Sequence, residues 1–162
     1  MKKCAVLMGS ENDWPVVKKC VDTLKALDIP VETHVYSAHR TPERVKAFTA
    51  SAKDNGFGVI VAAAGKAAHL AGAVAAQTTL PVIGLPISAS QLDGLDALLS
   101  TVQMPAGIPV ATVAIGGAEN AGLLAAQILA IGDGDLARRV EAQRKALCEA
   151  AEKKDAEFQK SL

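Results

Sequence analysis

The chain has 162 residues, half of them hydrophobic but only 3% aromatic, and its 17 basic and 17 acidic side chains give a formal net charge of zero. That length suits one domain, residues 1–162, with a core of Ala, Val, Leu and Ile, and the balanced charge argues against a broad grip on nucleic acid or an anionic membrane. Three scattered cysteines without a CxxC pair, no paired His/Cys ligand spacing and no unbroken bilayer-length apolar run exclude a disulfide framework, a metal site and a membrane span.

The apolar run 4–8 reads as a buried strand ending in the turn Gly9-Ser10. It is too short for a secretory leader, and a cytoplasmic, reducing setting is expected. Asp13 is placed to cap a helix over 15–27, with Pro15 in its first turn. A second strand follows at 31–36, then a helix opened by Thr41-Pro42-Glu43 and closed by Asn55-Gly56. Strands are predicted at 59–64, 81–86 and 110–115, and helices at 69–78, within 92–102, at 120–131 and over about 135–160. This alternation predicts a parallel sheet with helices on both faces, and no Gly/Ser/Pro-rich linker divides it.

Ligands of open parallel sheets bind beyond the carboxyl ends of the strands. The turns 9–13, 37–40 and 65–70 all follow strands and are expected to meet there. In the first, Ser10 offers a hydroxyl and a helix start offers N–H groups to an anion, although neither nucleotide-binding glycine pattern is present. Alternatively, Ser10 is a turn residue and Asp13 only a cap. In the second, Ser37-Ala38-His39-Arg40-Thr41-Pro42 sets an imidazole able to take and give a proton beside a guanidinium suited to phosphate or carboxylate. In the third, His69 either joins the site or begins the Ala-rich helix. His34, inside a strand, reads as structural or exposed. Met104-Pro105-Ala106-Gly107 reads as a lid or as packing. These turns suggest an acid–base enzyme acting on a small anionic substrate.

With these motifs, Gly65-x-Ala67-Ala68-His69-Leu70, the run 102–112 and the run 120–129, the chain resembles the bacterial PurE family of purine biosynthesis, the N5-carboxyaminoimidazole ribonucleotide mutases. The resemblance covers nearly the whole length apart from the final helix. It implies a three-layer α/β/α sandwich of flavodoxin-like type, assembled as a homo-octamer, with the final helix packing on neighbouring subunits. It also implies a cofactor-free isomerase that moves a carboxylate from an exocyclic nitrogen to a ring carbon of an aminoimidazole ribonucleotide. On that resemblance His39 is the general acid/base, and Ser10, Asp13 and Arg40 hold the ribose phosphate portion. Ser37 and the loop Ala64, Gly65, Lys66, His69 and Leu70 line the substrate site.

Three departures stand out. Lys66 occupies the place of a second glycine, Ala71 and Ala73 replace a Pro and a Met, and the stretch 115–120 is short. The related class that carboxylates with free carbon dioxide has a basic residue near position 66 but lacks counterparts of Arg40 and His69. That direct carboxylase is the nearest alternative. A non-catalytic module binding a phosphorylated metabolite is the alternative from another class.

Overall fold

Each of the five strands predicted from an apolar run forms, and all pair in parallel in the order β2-β1-β3-β4-β5. The computed structural model describes residues 1–89 and 92–162. The strands are β1 (Lys3–Met8), β2 (Val31–Val35), β3 (Phe57–Gly65), β4 (Val82–Ile87) and β5 (Ala111–Thr112). The helices are α1 (Trp14–Ala26), α2 (Pro42–Ala52), α3 (Leu70–Ala75), α4 (Leu95–Val102), α5 (Ala118–Ala130) and α6 (Gly134–Gln159). This 2-1-3-4-5 order is the flavodoxin-like arrangement, in which the winding reverses between β1 and β3.

Successive strand residues face opposite layers. Val6, Val61, Ile83 and Leu85 pack with α1, α5 and Leu136 at the start of α6. Ala5, Leu7, Ile60, Ala62 and Val82 pack with α2 and α3 on the other side. Small residues let these layers approach. A Cβ on Gly84 would fall 2.3 Å from Thr101 Cγ2 of α4, and one on Gly58 2.5 Å from Leu129 Cδ2 of α5. Gly58 therefore lies within a strand rather than before one, and β3 begins at Phe57, two residues earlier than the apolar run 59–64 predicts.

Other boundaries shift for local reasons. Asp93 and Gly94 have φ of +51° and +89°, so a left-handed turn delays α4 to Leu95. The last strand shortens to two residues, yet Val113 N–H still donates to Gly84 O and Gly116 N–H to Pro86 O along β4. α3 spans only Leu70–Ala75, and α5 begins at Ala118 after Gly117. Asp133, which the composition of the last helix did not single out, caps α6 by accepting from Leu136 N–H at 3.0 Å. From residue 144 to 162 every residue is exposed. Among the described residues, no helix is long and apolar enough to cross a membrane.

Candidate active site

The turns after β1, β2 and β3 converge on one cavity of about 700 Å³ beside the winding reversal. Its lining includes Ser10, Asp13, Ser37, His39, Arg40, Ala64, Gly65, Lys66, His69 and Leu70, so every residue that the sequence placed in a substrate site borders the same space.

The β2 turn is built from its own side chains. The Ser37 hydroxyl oxygen accepts from His39 N–H at 3.3 Å and Arg40 N–H at 3.1 Å, a serine turn that sets His39 and Arg40 on one rim. Thr41 Oγ1 accepts from Ser37 N–H at 2.9 Å and donates to Ser37 O at 3.2 Å. Pro42 then starts α2. Neither bond to Ser37 Oγ uses its hydroxyl proton, which remains available to a ligand.

His39 Nε2 lies 2.9 Å from His69 Nδ1, with the rings edge to face. One nitrogen must donate and the other accept, so a single proton occupies this contact. His69 sits at the residue before α3, but its ring makes no capping bond; it turns to His39 instead. Both rings are exposed at the cavity mouth.

Arg40 reaches from the β2 turn to the β1 turn, where its guanidinium donates to Gly9 O at 2.7 Å. Gly9 has ordinary backbone angles and room for a Cβ, 3.8 Å from Ala64 Cβ, so this position supplies a carbonyl rather than a glycine-only conformation. Ser10 caps the short 3-10 turn Glu11–Asp13 by accepting from Asn12 N–H. Asp13 makes no side-chain bond to the start of α1, contrary to the capping role expected of it. Its carboxylate is 6% exposed and accepts from Ser10 N–H. Burial pushes its titration upward, opposed by that bond and by the positive Arg40. A buried acid beside a fixed cation is suited to receiving hydroxyl groups of a sugar.

The β3 turn is tightly constrained. A Cβ on Gly65 would come 2.8 Å from Ala89 Cβ and 3.0 Å from Ile87 O. Lys66 then adopts φ +56°, a left-handed conformation that costs a residue with a side chain about 1–2 kcal/mol. Met104 packs its sulfur 3.3 Å from the Cβ position of Gly72 in α3, so this segment supports the turn from behind rather than covering the cavity. His34 lies elsewhere, stacked on Tyr36 at 4.7 Å and edge-on to Phe48.

Asn12, Ala38, Ala67 and Ala89 also line the cavity and were not singled out. Asn12, Ala38 and Ala67 fall at neutral places within the recognised motifs. Ala89 follows β4, whose exit carries no chemical signal in sequence. Among the described residues, no group of three or more His, Cys, Asp or Glu could hold a metal ion.

Residues 3–150 match the family described as AIR carboxylase. The N5-carboxyaminoimidazole ribonucleotide mutase of Mycobacterium tuberculosis (strain ATCC 25618 / H37Rv) is 52% identical over 158 residues, 98% of this chain and 91% of that protein. The Bacillus subtilis (strain 168) protein of the same name is 53% identical over 141 residues, 86% of this chain and 87% of its own. The crystal structure of Treponema denticola PurE superposes with a TM-score of 0.85 at 27% identity, covering 95% of this chain and 96% of that one.

Proposed function

This chain belongs to the AIR carboxylase family, and from that premise we propose the reaction its cavity performs. It is an N5-carboxyaminoimidazole ribonucleotide mutase, an isomerase of purine biosynthesis that moves a carboxylate from the exocyclic nitrogen to C4 of the imidazole. The observation that carries the mechanistic reading is the 2.9 Å contact between the His39 and His69 rings in the cavity that also holds Arg40 and Asp13.

His39 donates a proton to the exocyclic nitrogen as the bond from that nitrogen to the carboxylate carbon breaks, releasing carbon dioxide and leaving aminoimidazole ribonucleotide with a neutral amino group. C4 then attacks the carbon dioxide, forming a C–C bond and a protonated ring carbon. His39 removes that C4 proton and aromaticity returns. The proton inventory closes on one imidazole, and His69 holds that ring through its single shared proton. No electrons leave the substrate and the carboxylate stays within one nucleotide, so the chemistry calls for no cofactor. Confinement by Ala64, Gly65 and Ala67 keeps carbon dioxide beside C4 between the steps. Arg40, Ser10 and Asp13 hold the ribose phosphate, and Ser37, Leu70 and the rest of the β3 turn wall the base.

The assembly we propose is a homo-octamer. Support comes from the exposed apolar residues Leu95, Leu99 and Val102 along α4 and from the exposed tail of α6, both suited to neighbouring subunits. A cytoplasmic location is proposed on the three free thiols, which suit a reducing compartment.

Two substrates test the reaction. The purified enzyme is given the N-carboxylated nucleotide, then aminoimidazole ribonucleotide with bicarbonate. Efficient turnover of the first is expected; turnover of the second alone would make this chain a direct carboxylase.

A further inference from the structure

Arg40 and Lys66 are the only lysine or arginine side chains lining the cavity among the described residues. Arg40 is committed to the β1 turn through Gly9 O and the charge of Asp13. Lys66 is on the β3 turn, with His69 three residues on, and makes no hydrogen bond or ion pair with a described residue. Its backbone is held in the left-handed region where glycine would be unstrained. Gly65 before it leaves no room for a side chain, since a Cβ there would come 2.8 Å from Ala89 Cβ and 3.0 Å from Ile87 O. A cation is thus carried on a strained turn that lines the same cavity as the proton-transfer pair.

We propose that Lys66 is a specificity-determining residue: its ammonium binds the migrating carboxylate of the substrate and product. This rests on the mutase reading, under which the nucleotide carries two separate anionic groups. The phosphate is taken at the β1 turn by Arg40. The carboxylate must lie near His39 for the proton to reach the exocyclic nitrogen or C4, and Lys66, on the turn that leads to His69, is the other lysine or arginine lining the cavity among the described residues. A charge-assisted bond there favours carboxylated ligands over the bare aminoimidazole.

The test compares 4-carboxy-5-aminoimidazole ribonucleotide with aminoimidazole ribonucleotide by titration calorimetry on wild type, Lys66→Gln, Lys66→Gly and Lys66→Arg. The expected result is at least a tenfold weaker Kd for the carboxylated ligand in the Gln and Gly variants. The uncarboxylated ligand shifts less than twofold, and Lys66→Arg recovers most of the affinity. Lys66→Gly keeps the wild-type Tm or exceeds it, which separates a lost contact from a damaged turn. Equal shifts for both ligands, or none, overturn the proposal. Wild-type turnover of the N-carboxylated nucleotide is read on the same preparation. Turnover without a Lys66 effect rejects the contact alone, and a Lys66 effect without turnover upholds the contact while rejecting the reaction.

Discussion

At the scale of single residues, His39 is reached by hydrogen bonds from two directions, which separates its chemistry from substrate binding. Its ring contacts His69, while its backbone is anchored to Ser37. His39→Asn is therefore expected to lower turnover by about 10²–10⁴-fold, the range for loss of a positioned acid/base, with nucleotide affinity within a few-fold of wild type. Steady-state kinetics beside calorimetry reads this, and an active variant would end the role assigned to His39. Asp13 makes a prediction of opposite kind. Its folded carboxyl holds a proton to higher pH than the unfolded chain does, because of burial. Between the ordinary carboxylate range and the raised folded value, the native state binds more protons. Stability therefore falls as pH rises through that interval and stays lowered above it. Asp13→Asn removes this loss: its Tm advantage over wild type should be absent in acid and open on the way to neutrality, while ligand affinity drops about tenfold. A Tm difference that is flat with pH would contradict the account. The motif residues were legible at this scale because their chemistry is a property of side-chain type. The switch of Asp13 from cap to buried acid was not, since it depends on the 3-10 turn that places its carboxylate under Ser10 N–H.

At the scale of elements, glycines decide how closely pieces pack, and sequence patterning reads them as breaks. Gly58 shows this: flanked by Gly56 it resembles a turn, yet it runs through β3 beneath Leu129. Gly122 inside α5 is a second case. A glycine in mid-helix is unfavourable by about 1 kcal/mol relative to Ala. Here an added Cβ would meet Cys20 O at 3.0 Å and Thr23 Cβ at 3.0 Å on α1. Gly122→Val should push α1 from α5 and destabilise by about 1–3 kcal/mol in denaturant unfolding; an unchanged midpoint would mean the helices have slack. Apolar periodicity made most strands and helices readable because burial on two faces demands it. β5 is shorter than the apolar run 110–115 suggests: apolar residues persist past Thr112, but only Ala111 and Thr112 pair in register with β4.

At the scale of the molecule, a single chain leaves apolar surface that its own fold does not use. Leu95, Leu99 and Val102 follow one stripe of α4 at 51%, 48% and 44% exposure, on a helix whose Ala97 and Thr101 are fully packed inward. Water contact along such a stripe is unfavourable by about 25 cal/mol per Å², and a soluble protein usually removes it by association. The candidate site shares this incompleteness: His39, Arg40, Lys66 and His69 are all exposed in the isolated chain, whereas the proposed mechanism requires carbon dioxide to be retained between bond breaking and bond making. Assembly and catalysis are thus expected to fail together. Light scattering should give the wild type a mass eight times that of the chain, and Leu95→Glu/Leu99→Glu should yield smaller species of unchanged far-ultraviolet dichroism, since charges buried in an interface require partners absent there. The smaller species should release carbon dioxide from the N-carboxylated substrate faster than it forms the C4-carboxylated product. A dissociated variant that still couples the two steps as wild type does would show that one chain closes its own cavity.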